Sequence, residues 1–193
     1  MDLKSIKSYL IICALVLSCA IPKKSIVASK QTSIDKKVDS LLQIMTLEEK
    51  IGQLNQYNGF WEITGPAPKD GQAAKKYNDL KKGLVGSMLN VKGVKDVYAI
   101  QKIAVEETRL GIPLLFGFDV IHGHKTISPI PLAEAASWDL EAIKKSAEVA
   151  AEEAAAEGIN WTFAPMVDVS RDARWGRVME GAGEDTYLGS KIA

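Results

Sequence analysis

"GLVGSMLNVKGVKDVYAIQKIAVEETRLGIPLLFGFDVI", residues 83–121, is the stretch on which the fold turns. It opens on a short apolar run, 83–91. It then passes through 94–108, where apolar residues recur at helical spacing, and closes on a second apolar run, 112–121. The runs have strand length and the segment between them has the length of a crossover helix. The unit recurs downstream: after a loop comes a helical pattern at 140–158, followed by a third apolar run, "INWTFAPMVDV", 159–169. In that second helix Asp139 is a good N-cap. Leu140, Ile143, Ala147, Ala150 and Ala154 share one face, and Gly158 suits the left-handed position after the last turn. Strands alternating with helices predict an α/β fold, a parallel sheet with helices on its faces.

Toward the amino terminus, "TLEE" at 46–49 reads as a capping box. Before it, Ser33 is placed to cap a helix carrying Ile34, Val38, Leu41, Leu42 and Met45 at helical spacing. Between that region and the first strand, residues 57–73 read as a glycine- and proline-containing loop. Its aromatics, Tyr57, Phe60 and Trp61, either stack on a ligand or fold back on the core.

Two parallel architectures compete. A doubly wound sheet is usually betrayed by a glycine-rich phosphate turn, and "GAGEDTYLG", 181–189, has Thr186 where the third glycine belongs. A (β/α)8 TIM barrel is favoured, with Asn90, Asp119 and Asp168 falling near strand carboxyl ends, where barrels carry their sites. A complete barrel takes eight strands and roughly 250 residues. The expectation is therefore an incomplete barrel, its N-terminal portion, occupying 33–193 and truncated at its carboxyl side.

Lys plus Arg equals Asp plus Glu at 24 each, so no net field gathers nucleic acid. Lys4 and Lys7 precede the apolar stretch 9–17, which is too short to span a bilayer and reads as an export signal over 1–20, followed by a polar linker, 21–32. Cleavage after Ala20 is one reading. The other takes "VLSC" as a lipobox with Cys19 lipidated, a possible lipid anchor. Both cysteines, Cys13 and Cys19, lie in this segment, which leaves the exported domain no disulfide. The expected location is the periplasm, or the outer membrane as a lipoprotein.

Asp119 ends an apolar run, where an ionised carboxylate is costly unless paired. It either accepts hydrogen bonds from a polyhydroxylated ligand or serves as a structural cap or arginine partner. His122 and His124, at i and i+2, can share a strand face as metal ligands do, but no further histidine or exported cysteine exists to complete a site. No metal and no cofactor are expected, and the two rings are read as pocket or loop residues. In "APMVDVSRDARWGRVMEGAGED", 164–185, Arg171, Arg174 and Arg177 alternate with carboxylates, which fits a solvated loop or a site framed by Trp175.

Taken in order, "FDVIHGH" (118–124), "PIPLAEAASWD" (129–139), "GINWTFAPMVDVSRDARWGRVMEGAGED" (158–185) and "YLGSKIA" (187–193) resemble the amino-terminal barrel domain of glycoside hydrolase family 3, especially its bacterial periplasmic β-glucosidases. The resemblance implies a retaining exo-acting hydrolase that removes terminal non-reducing β-D-glucosyl residues from an oligosaccharide or β-glucoside. In the family, the aspartate matching Asp119 and the arginine matching Arg177 grip the sugar at the −1 subsite, and His122 shapes the same pocket. The family's nucleophile and acid/base lie downstream, so no catalytic carboxylate is expected within this chain, which is expected to be inactive alone. The alternatives are a family 3 β-xylosidase or β-N-acetylhexosaminidase, or a non-catalytic sugar-binding envelope lipoprotein.

Overall fold

The computed structural model describes residues 32–59 and 69–193. The expected export signal, most of the linker, Cys13, Cys19, Phe60 and Trp61 lie outside the described residues. The chain divides into two compact units, 1–41 and 42–193.

Helix α1 (Ser33–Ile44) begins in the first unit. Its cap is Thr32 rather than Ser33: the Thr32 hydroxyl accepts from the Asp35 amide at 3.1 Å, and the Asp35 carboxylate accepts from the Thr32 amide at 2.7 Å. Ser33 is already helical, because this reciprocal pair satisfies the amide donors one residue earlier. The periodic side chains Ile34, Val38 and Leu42 are exposed, while Met45, just past the helix, is buried.

In the second unit, Thr46 caps α2 (Leu47–Gly52) with the expected box, its hydroxyl accepting from the Glu49 amide and Glu49 accepting from the Thr46 amide. Glu49 is buried, and Arg109 makes that tolerable by donating from Nε at 2.9 Å and from Nη2. The same guanidinium donates to the Ile44 carbonyl.

Four strands follow: β1 (Gln56–Asn58), β2 (Ser87–Leu89), β3 (Leu115–Phe118) and β4 (Trp161–Thr162). They form one sheet in the order β1-β2-β3-β4, every pair parallel. Helices α3 (Gly71–Lys81), α4 (Val94–Glu106), α5 (Pro131–Ala136) and α6 (Leu140–Ala156) connect them. A 3₁₀ turn (Val178–Glu180) and α7 (Thr186–Ile192) come last. The expected α/β fold with a parallel sheet is present. The strands are shorter than the apolar runs that announced them, because the ends of those runs bend into loops. Part of the predicted 57–73 loop is regular structure: Tyr57 sits in β1 and Gly71 opens α3.

Alternation along the strands assigns the two faces. Met88 and Phe116 turn toward the helices and join Leu80, Val85, Val97, Ile100, Ala104 and Leu114 in the main core, with Tyr57 packed against it. The Tyr57 hydroxyl reaches out of this layer to donate to Asp79 on α3 at 2.7 Å. Val120, Ala150, Ala154 and Ile159 make a second cluster between the exit of β3 and α6. Gly86 is required where β2 begins, since a Cβ there would stand 2.0 Å from the Gln53 carbonyl oxygen. No described helix is long and apolar enough to cross a membrane.

Ile100 is fully buried at the centre of the main cluster. Ile100→Ala is expected to lower the unfolding free energy by about 2–5 kcal/mol, the lost transfer energy plus the cavity left behind. Urea denaturation monitored by tryptophan fluorescence checks it, and a shift under 1 kcal/mol would place Ile100 outside the core.

Candidate functional site

The parallel ladder delivers three polar residues to one edge of the sheet. Asn58 ends β1, Asn90 follows β2 and Asp119 follows β3. The Asn90 amide donates to the Asn58 side-chain oxygen at 3.0 Å, and the Asn90 backbone N–H donates to the Gly117 carbonyl at 3.1 Å. Asn90 holds φ at 60°, a left-handed conformation that asparagine adopts at less cost than most residues. Asp119 is exposed rather than buried, because β3 ends one residue before it. Two positions earlier, a Cβ on Gly117 would meet the Phe163 ring at 3.2 Å, so glycine lets that ring lie against the strand. Phe163 packs on Trp161 with ring centroids 5.0 Å apart, and both rings are partly exposed.

Arg177 approaches from the loop after β4. Its Nε donates to Glu180 Oε1 at 3.0 Å and its Nη2 to Glu180 Oε2 at 2.6 Å, a bidentate fork within one turn. This fork raises the guanidinium above its ordinary value and lowers the Glu180 carboxyl. The charges of Asp168 and Asp119 stabilise the same guanidinium further. Asp119 and Asp168 thus both lie within electrostatic reach of Arg177. Such acceptors and donors beside exposed aromatic faces are the groups that bind a polyhydroxylated ring.

His122 has a different place. Its Nδ1 lies 3.1 Å from the Ser128 carbonyl, and the Ser128 amide donates to the His122 carbonyl at 2.8 Å. A carbonyl only accepts, so the Nδ1 carries the proton and the ring closes its own loop. His122, Asp168 and Glu180 also line a cavity of about 670 Å³ between α6, β4 and α7. Alanines of α6 line one wall of it, and neither Asp119 nor Arg177 lines it.

His124 turns the other way, its Nε2 3.1 Å from Glu157 Oε2 and its ring edge-on to Phe118. Its Nδ1 is buried without a partner among the described residues. A proton there would lack an acceptor, so the proton belongs on Nε2. The two histidines therefore serve separate partners. Among the described residues no group of three or more His, Cys, Asp or Glu is arranged to hold a metal.

Arg174 forks onto Asp172 in an exposed local pair, as a solvated loop would have it, while Arg177 forks onto Glu180. The sequence reading passed over two residues, Glu153 in the last turns of α6 and Glu157, which caps its carboxyl end. Glu153 accepts from the amides of Lys125 and Thr126, both at 2.8 Å, and from the Thr126 hydroxyl at 2.6 Å. The only signal for them was a pair of glutamates at i and i+4, a pattern that solvated helix faces also show.

The model of the glycosyl hydrolase family 3 N terminal domain matches residues 46–193. The chain belongs to glycosyl hydrolase family 3. Within family 3, it is 46% identical over 157 residues to the periplasmic beta-glucosidase of Salmonella typhimurium, covering 81% of this chain and 19% of that protein. A putative beta-xylosidase of Formosa agariphila is 32% identical over 173 residues, covering 83% of this chain and 23% of the relative. Among solved family 3 structures, the beta-glucosidase from Listeria innocua in complex with isofagomine superposes with a TM-score of 0.69 at 45% identity, over 81% of this chain and 21% of that one. Its complex with glucose superposes with a TM-score of 0.70 at 42% identity, over 81% and 22%. The chain spans about a fifth of the length of these relatives.

Hydrogen bonds from Lys125 and His124 pull the Glu157 carboxyl down from 4.5 to about 2. A carboxyl whose folded value is depressed contributes stability that is complete above its unfolded value and disappears as pH falls through the folded one. Glu157→Gln removes this contribution. The gap in unfolding free energy between wild type and Glu157→Gln should be widest near neutral pH, narrow below pH 4.5 and close by about pH 2. Denaturant unfolding across that range is the check; a gap that persists at pH 2 would mean the carboxylate charge is not what stabilises the contact.

Proposed function

We propose that this chain forms the sugar-gripping part of a retaining β-glucosidase acting on terminal non-reducing β-D-glucosyl residues of oligosaccharides or glucosides. The arrangement that carries the reading is a carboxylate, Asp119, at the exit of β3, together with the Glu180-braced guanidinium of Arg177, whose charge Asp119 helps to stabilise. The names of the relatives support it: the Salmonella protein is a periplasmic beta-glucosidase, and the Listeria beta-glucosidase was solved with glucose.

In this reading Asp119 accepts hydrogen bonds from ring hydroxyls and Arg177 donates to another hydroxyl oxygen, which fixes the sugar in register. Retaining hydrolysis needs a nucleophile at the anomeric carbon and an acid/base on the leaving oxygen, with the carboxyls roughly 5–5.5 Å apart. By the family resemblance, both come from chain outside these 193 residues, so Asp168 and Glu180 are not assigned to either role. Asp119 and Arg177 then raise the rate to the extent that their bonds strengthen as the ring flattens toward the oxocarbenium-like state. His122 is a loop-closing residue at the edge of this site. The protein is exported to the periplasm by residues 1–20, and Cys19 is the residue a lipid anchor would use.

The enzyme as its gene encodes it should release nitrophenol fastest from the β-glucoside in a panel that also holds the β-xyloside and the β-N-acetylglucosaminide; preference for either of the others overturns the assignment. Asp119→Asn should lower kcat/KM roughly a hundredfold or more, the scale of two charge-assisted hydrogen bonds, with an unchanged melting temperature. Arg177→Lys should cost about tenfold, because an ammonium cannot keep the fork on Glu180 while reaching the substrate. Near-wild-type kinetics in Asp119→Asn would remove that residue from the site.

A further inference from the structure

The loop leaving β3 has little regular structure of its own, yet it joins both sugar-gripping side chains. At its start stands Asp119. At its far end is α5, which packs against the 3₁₀ turn bearing Glu180, the brace of Arg177. Whatever holds this loop sets the distance between the two.

The holding groups come from one face of α6. Glu153 takes the amides of Lys125 and Thr126 and the Thr126 hydroxyl, satisfying two adjacent backbone donors that the turn at Gly123 leaves without carbonyl partners. Glycine is needed at 123, where φ is 107° and a Cβ would stand 2.0 Å from the Thr126 carbonyl oxygen. One helical turn on, Glu157 takes His124 Nε2 at 3.1 Å, Lys125 Nζ at 2.6 Å and the Gly93 amide at 3.2 Å. Gly93 begins α4, so this carboxylate also secures the segment that carries Asn90 out of β2. Near the start of α6, Ser146 donates to Glu134 on α5 at 2.6 Å and shares a 2.6 Å hydrogen bond with Ser128 in the loop. Every one of these contacts crosses from α6 to the exit of β2, the exit of β3 or α5.

We propose that Glu153 and Glu157 are positioning residues for substrate binding: through the 119–130 loop they set Asp119 and, through α5, the Arg177–Glu180 fork. The proposal rests on the sugar-binding reading above. Neither carboxylate is placed against the substrate. Their effect is on the fraction of enzyme whose loop is ordered for binding, so it appears in KM before kcat.

The test compares the Glu153→Ala/Glu157→Ala variant with Glu153→Gln/Glu157→Gln, which keeps acceptor oxygens, in the enzyme as its gene encodes it. Amide hydrogen exchange of the peptide covering 119–130 is measured beside nitrophenyl β-glucoside kinetics. The alanine pair should speed exchange in 119–130 by about tenfold or more while the β2 and β3 peptides stay protected, on the scale of lost charge-assisted hydrogen bonds. KM should rise about tenfold with kcat within about threefold, and the glutamine pair should recover most of both. Unchanged exchange, or faster exchange with unchanged KM, overturns the proposal. If the alanine pair does not fold, Glu153→Ala alone must show the same exchange and KM changes in smaller measure, and their absence overturns it equally. A wild-type enzyme that turns over no β-glycoside would defeat the functional reading instead, and exchange in 119–130 would then decide by itself whether the two carboxylates order the loop.

Discussion

Parallel pairing is the constraint from which the rest follows. Strands that run in one direction cannot be joined by tight hairpins, so each must be followed by a returning segment that buries the apolar side chains on the sheet's outer face. Phe116 and Met88 supply those side chains, and Leu80 of α3 and Ile100 of α4 cover them. Because all four strands point the same way, their exits collect on one edge. Asn58 and Asn90 meet there, and Asp119 leaves the sheet at the same end, without any local sequence relationship among the three.

The exits themselves cannot be held by apolar packing alone, since loops expose backbone N–H groups that need acceptors. The last turns of α6 answer with carboxylates rather than with another strand. Glu153 carries three donors and Glu157 receives a histidine, a lysine and an amide. On the adjoining face of the same helix, Ala150 and Ala154 pack under Val120. One helix thereby presents two chemistries to one loop, a small-residue face that lets it approach and a charged rim that fixes its turn.

How much of this the sequence disclosed depended on whether the signal was periodic. Regular segments were readable: "KDVYAIQKIAVE" carries a helical period, and α4 occupies nearly the range expected, as α6 does behind its Asp139 cap. The first strand was not, because "QYN" offers one apolar residue and its support is a hydroxyl bond to Asp79, twenty-two positions away. Asp119 and Arg177 were singled out by the motif around them, and each charge contributes to the other's surroundings. Their geometry was hidden, since Arg177's brace is a local carboxylate that looked like ordinary loop charge. The helix carrying Ile34 and Val38 was readable too, although a helical period foretells a helix and not what covers it, and both side chains are exposed.

The fork between Arg177 and Glu180 has a thermodynamic corollary. Two of the five guanidinium N–H groups are committed to Glu180, and among the described residues the other three have no acceptor recorded. An arginine held in this way has already given up much of its rotameric freedom on folding, so a ligand that takes up the remaining donors need not meet that entropic cost again. Affinity at this position would then vary with the match of hydroxyl geometry to a fixed plane, which favours discrimination among sugar epimers over tolerance of them.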